Sequence, residues 1–267
     1  MMREPVVAGQ FYPADPAALL REIQSFLPPS ETPLAAKALI APHAGYMYSG
    51  PVAGAVYRAV RPANRVIVLG PNHTGRGVPL SLSPPGEWRT PLGAVAVDTD
   101  LNERLQKECT DLRQDRSAHA HEHSLEVQLP FLQVLAPGFR FSGICVGTTD
   151  YSALGSLGHA LACVIQSLED PVLVVCSSDM NHYESAETAS RKDRMAIEKI
   201  RQVDPRGLYQ VVIDEDISMC GFAPAVSVLT ACRELGAREG RLIKYANSGD
   251  VSGDYERVVG YAGLAIV

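Results

Sequence analysis

The sequence predicts one α/β domain, residues 1–267, with a largely parallel or mixed central sheet flanked by helices, and three observations carry that prediction. Short apolar runs recur along the chain, each followed by Gly/Pro/Asn punctuation. Helical patterns interleave with those runs, which is the rhythm of β–α–β units. No repeat, low-complexity block or Ser/Gly linker divides the chain, and its most polar stretch, Asp111 to Glu122, is short enough to be a loop.

In chain order, Val6 to Pro13 leads into Asp15-Pro16, a capping residue followed by a first-turn proline, and a helix to about Phe26 that ends at Pro28-Pro29. Buried strands are expected at Lys37–Ala41, Arg65–Leu69, Phe141–Val146 and Val172–Cys176. Helices are expected at Pro51–Val60, Thr99–Glu108, Ser124–Leu135, Tyr151–Leu168, Ser185–Val203, Pro205–Ile213 and Phe222–Leu235. Leu242–Asn247 and Val258–Ile266 read as strands that complete or edge the sheet, and Ala94–Val97 after Pro91-Leu92-Gly93 as a further strand.

Composition excludes several classes. Apolar residues make up 46% and charged residues 20%, the profile of a folded globular chain. The formal charge is −6 and the basic residues are scattered, so the footprint for binding a phosphate backbone is missing and no nucleic acid is expected. There is no apolar leader at the N-terminus and no run of roughly 20 apolar residues, so a cytoplasmic protein without a membrane span is expected. The cysteines Cys109, Cys145, Cys163, Cys176, Cys220 and Cys232 form no CxxC pair, which points to reduced residues rather than a disulfide framework. GxSxG, GxxxxGK[ST] and HExxH are absent, and no GxGxxG follows the first strand, which removes support for common serine hydrolase, P-loop, zincin and dinucleotide readings.

Chemistry-bearing residues fall just past strand ends. His43 follows Ala38 to Pro42, His73 follows Val66 to Asn72, and Asp179 and His182 follow Val172 to Ser178. Open α/β sheets bind ligands outside the carboxyl ends of their strands, so these segments are expected to converge. Neutral imidazole is the commonest metal ligand, although each histidine alone also fits a turn that it merely caps. Cys220 directly precedes a helix, where exposed amides favour thiolate as ligand or nucleophile; buried structural cysteine is the plainer reading. Asp179 and His182 suit a carboxylate that orients an acid/base histidine, against an Asx-type turn. In His119-Ala120-His121-Glu122-His123, alternation splays the side chains, so the cluster is weaker than it looks as a metal site; Ser124 is read as a helix cap with His123 and Glu126 near the cleft.

Six ordered motifs then carry a family resemblance: Gly9 to Pro13; Ala41 to Tyr46 with Tyr48-Ser49-Gly50; Leu69 to His73; Glu122 to Pro130; Ser177 to Tyr183; and Cys220-Gly221. The chain resembles the MEMO family, including the proteins called AmmeMemoRadiSam system protein B, from about Val6 to Ile266. The resemblance implies a fold similar to the class III extradiol (LigB-type) non-haem iron dioxygenases. It also implies metal ligation by His43, His73 and Cys220, with Cys220 where those enzymes place a carboxylate, His182 as the acid/base histidine, and Asp179 and His123 lining the cleft. A thiolate is softer than a carboxylate and accommodates copper or zinc as well as Fe(II), and ring-opening activity does not follow from fold alone.

The leading expectation is an Fe(II), or copper, redox protein or dioxygenase-like enzyme of unknown substrate. A second is a peptide- or protein-binding module, with Phe11, Tyr12, Tyr46 and Tyr48 as contact surface and, as the family name implies, a radical-SAM protein and an AMMECR-type protein as partners. A third is a zinc hydrolase in which His182 or Asp179 takes a proton.

Overall fold

The computed structural model describes residues 2–29 and 32–267. Strands Ala38–Ala41, Val172–Ser177, Arg65–Pro71 and Arg140–Val146 lie side by side in that order, every pairing parallel. The chain passes from Ala38–Ala41 to Arg65–Pro71 across one intervening strand, through helix Tyr46–Ala59. It returns from Arg140–Val146 to Val172–Ser177 in the opposite sense, through helix Tyr151–Gln166. Right-handed crossovers running in opposite directions place their helices on opposite faces of the sheet.

Each face therefore has its own core, filled by alternate residues of the same strands. Leu39, Val66, Val68, Leu173 and Val175 pack toward Val56 and Phe131 on one side. Ile40, Ile67, Leu69, Val174 and Cys176 pack toward Leu154, Leu161 and Leu229 on the other. Antiparallel strands flank the parallel centre: Val258–Ile266 against Ala38–Ala41, Gly240–Asn247 beyond it, and Leu80–Leu82 against Arg140–Val146. The sheet is thus mixed, with a parallel middle.

Most expected elements stand within two residues of their expected bounds, and Thr99–Glu108 and Val258–Ile266 coincide with them. Three differ. The helix expected from Pro51 begins at Tyr46, whose N–H donates to Phe11 O at 2.7 Å; the proline sits inside the helix. The helix expected from Ser124 begins with a 3₁₀ turn, Glu126–Gln128, before Leu129–Leu135, and Ser124 is not its cap. The strand near Ala94–Val97 is Gly93–Ala96, and it belongs to a small separate sheet with Glu87–Thr90 and Met2–Arg3. Among the described residues, no helix is long and apolar enough to cross a membrane.

Candidate metal centre

Three adjacent parallel strands deliver the site. The carboxyl ends of Ala38–Ala41, Val172–Ser177 and Arg65–Pro71 lead into His43, Asp179 and His73, and the turn before helix Phe222–Glu234 brings Cys220 alongside. Together with His123 and His182 they line a cleft of about 590 Å³. His123 arrives because the Glu122–Ser124 segment lies against the end of strand Arg65–Pro71, where a Cβ at Gly70 would stand 2.6 Å from Ser124 Oγ.

His43, His73 and His123 offer ring nitrogens that all lie within 4.8 Å of one another. The His73 and His123 rings stack with centroids 4.7 Å apart, and both meet His43 edge-on. Cys220 Sγ is 3.2 Å from His43 Nε2 and accepts the Asp179 N–H at 3.3 Å.

Hydrogen bonding fixes which nitrogen of the His43, His73 and His182 rings faces the cleft. Ser177 Oγ donates its only proton to Ser124 O at 2.6 Å. It must therefore accept from His43 Nδ1 at 2.9 Å, as it does from Gln128 Nε2 at 2.7 Å. His43 thus carries its proton on Nδ1 and leaves the Nε2 lone pair free. Glu122 does the same for His73, accepting from Nδ1 at 2.9 Å and from the backbone N–H at 2.6 Å. His182 Nδ1 donates to Ser218 O at 2.9 Å, which frees its Nε2. An acceptor behind the imidazole, here the Ser177 hydroxyl for His43, the Glu122 carboxylate for His73 and the Ser218 carbonyl for His182, is how proteins orient histidine ligands.

Electrostatics keep the cluster ready for a cation. Burial, helped by the neighbouring imidazoles, holds His43 well below the ordinary histidine range. Burial also lowers His123, against the pull of Glu122. Burial would raise Glu122, but the His73 hydrogen bond and charge outweigh it and hold the carboxyl at about 2. Asp179 is raised by burial, although the His43 and Ala44 backbone N–H groups donate to it. Cys220 is pushed well above the ordinary thiol range by burial and by the Asp179 charge, which together outweigh the thiolate bias expected of a residue before a helix. Imidazoles with converging ring nitrogens and a thiol at their side are a donor set that fits a divalent transition metal.

The sequence-derived site residues divide cleanly. His43, His73, His123, Asp179, His182, Cys220 and Phe11 come together in the cleft. Tyr12 and Tyr46, read as substrate contacts, are buried beneath it with 3% and 2% exposure; their hydroxyls donate to Glu126 Oε1 and Val127 O. Glu126, expected near the cleft, instead holds the N-terminal segment through Arg3 and the Val6 and Val7 N–H groups. Of the histidine cluster only His123 reaches the site: His119 is buried against Trp88 and His121 is exposed. Sequence reasoning gave no role to Ser177 or Gln128 and placed Glu122 only within a motif. A carboxylate next to a histidine in a His-rich segment was the available signal for Glu122.

The profile of the family described as Memo-like protein matches residues 3–265. The chain belongs to the Memo family. A MEMO1 family protein of Methanopyrus kandleri is 42% identical over 99% of this chain and 98% of its own length. Relatives carrying the same family name are 43% identical in Ignicoccus hospitalis, over 99% of this chain and 98% of their own, and 41% identical in Aquifex aeolicus, over 98% of each. This Memo protein thus aligns with them through every segment that supplies the cleft.

Proposed function

We propose that this Memo protein is a metal-dependent redox protein or oxygenase-like enzyme whose centre takes Fe(II), with copper and zinc as competing occupants. The observation that carries the reading is the convergence of the His43, His73 and His123 ring nitrogens within 4.8 Å, with the His43 and His73 tautomers set by Ser177 and Glu122. His43 and His73 would hold the ion, with Cys220 as the third donor that the family resemblance implies and His123 as the neighbouring imidazole. A bound Fe(II) would supply one-electron chemistry and open positions for oxygen and substrate.

The chain's own residues do the rest. Cys220 must give up its proton to act as a donor, and burial opposes that until a cation compensates the charge. Asp179 ties the His43 backbone to the Cys220 turn, accepting His43 N–H at 2.7 Å while its own N–H points to Sγ. His182, with Nδ1 engaged by Ser218 O, offers Nε2 to take or return a proton at the cleft wall. Phe11, 4.9 Å from the His123 ring, supplies an apolar contact for a substrate.

Anaerobic Fe(II) titration by calorimetry, beside Co(II) absorption, tests this. About one metal per chain is expected, lost in His43→Ala and His73→Ala, while comparison of Cys220→Ala with His123→Ala identifies the third donor. Unchanged Fe(II) binding in all four variants would overturn the reading. Bound zinc without any redox response would favour the hydrolytic alternative.

A protein- or peptide-binding cleft serving radical-SAM and AMMECR-type partners is a second reading. It is supported by Tyr183, which is 66% exposed beside His182 and has a backbone φ of 61°, unusual for a non-glycine residue. Loss of partner capture by Tyr183→Ala with metal binding intact would favour it; retention would count against it.

A further inference from the structure

A second cluster of reactive side chains lies outside the cleft. Helix Tyr151–Gln166 carries His159 and Cys163 one turn apart, and Glu234 ends helix Phe222–Glu234 beside them. The two helices approach closely where a Cβ at Gly158 would meet Ser227 O at 2.6 Å. That approach sets His159 Nδ1 3.0 Å from Glu234 Oε2, so the ring donates its proton to the carboxylate. The opposite nitrogen, Nε2, then faces Cys163 Sγ at 3.5 Å with its lone pair. Nucleophile, base and orienting carboxylate stand in the sequence that activates thiols elsewhere.

The setting separates Cys163 from the four buried cysteines. Cys109, Cys145, Cys176 and Cys232 are buried, and burial raises each of their thiols. Cys163 is partly exposed, so an incoming disulfide can reach its sulfur. The chain ligating a metal through His159 and Cys163 is less well supported: the carboxylate grips the opposite side of the ring, and the three donors form no cluster.

We propose that Cys163, His159 and Glu234 form a thiol-exchange site for small disulfides, separate from the metal centre. His159 Nε2 takes the Cys163 proton, and the sulfur attacks one sulfur of the disulfide. The disulfide S–S bond breaks as the Cys163 mixed disulfide forms, and the departing thiolate regains the proton from His159. Electrons balance with the small disulfide as oxidant: it is reduced to one free thiol and one half bound to Cys163.

The test treats the full chain with glutathione disulfide and, separately, with 5,5′-dithiobis(2-nitrobenzoate), then maps the modified peptide by mass. A single fast phase on Cys163 is expected, absent in Cys163→Ser and retained in Cys220→Ser. His159→Gln should slow it at least about tenfold and remove the imidazole limb of its pH profile. Glu234→Gln should slow it less, with circular dichroism unchanged. A fast phase that persists in Cys163→Ser, or a rate and pH profile unchanged in His159→Gln, would overturn the proposal.

Discussion

Glu122→Gln is the substitution that separates a positioned metal centre from a chance gathering of histidines. Glu122 is fully buried and takes three N–H groups on two oxygens: His73 N–H on Oε2, and His73 Nδ1 with Ser124 N–H on Oε1. Glutamine keeps the shape but turns one oxygen into a donor, so at least one of those N–H groups loses its acceptor. The carboxyl lies at about 2 instead of the ordinary 4.5, a displacement worth roughly 3 kcal/mol at about 1.4 kcal/mol per tenfold. Because the folded value is the lower one, that stability is present above about 4.5 and is lost as pH falls through about 2. Urea unfolding of wild type and variant should therefore differ by about 2–3 kcal/mol at neutral pH and converge only below about pH 2. Fe(II) or Co(II) affinity should fall about 10- to 100-fold, as it does when a carboxylate behind a ligand histidine is removed. A variant that is destabilised by the stated amount yet binds metal like wild type would refute the link between Glu122 and the centre.

Ser177→Ala strips the acceptor from His43 Nδ1 and Gln128 Nε2 together, so a loss of about 2–3 kcal/mol and weaker metal binding are expected, read by thermal unfolding and titration. Gly70→Ala places a Cβ against Ser124 Oγ; it should cost about 1–3 kcal/mol by denaturant unfolding and weaken binding by displacing His123. Asp193 accepts from Asn181 N–H and Tyr245 Oη, and burial raises it to about 6 from 3.8 despite those bonds. Its stabilising protonation is complete below about 3.8 and is lost as pH rises through about 6, so Asp193→Asn should gain on wild type across that window by up to about 3 kcal/mol. A wild-type-minus-variant difference that is flat from pH 4 to 7 would contradict it.

The strands and the strand-end residues were legible because their signals are local. Val66 to Leu69 followed by Gly70-Pro71 announces a buried strand and its stop, and a histidine two residues on must then sit at the sheet's carboxyl edge. Tyr46 was misread for the converse reason. Its start as a helix depends on Phe11 O, thirty-five positions away in sequence, and its hydroxyl on Val127 O, so nothing nearby told core from cleft. Tyr12 is the same case, since its burial follows from the Glu126 carboxylate beneath it. His123 was undervalued because periodicity judged the His119–His123 cluster as one unit, whereas the fold sends its members three ways.

Ser177 shows why binding and folding form one problem in this protein. Its single hydroxyl joins three segments: it donates to Ser124 O, beside His123; it accepts from His43; and it accepts from Gln128, whose amide also donates to Pro42 O. None of those bonds exists in the unfolded chain, so the imidazoles are aimed only once the parallel strands have paired. An ion that binds the aimed set and not the unfolded chain must return that dependence as stability, about 2.7 kcal/mol at a hundredfold excess over Kd. Disturbing any one of the three segments should therefore reduce metal affinity and the metal-induced rise in Tm together. A variant so disturbed that keeps both the affinity and the rise would mean that the ion binds without needing the Ser177 arrangement.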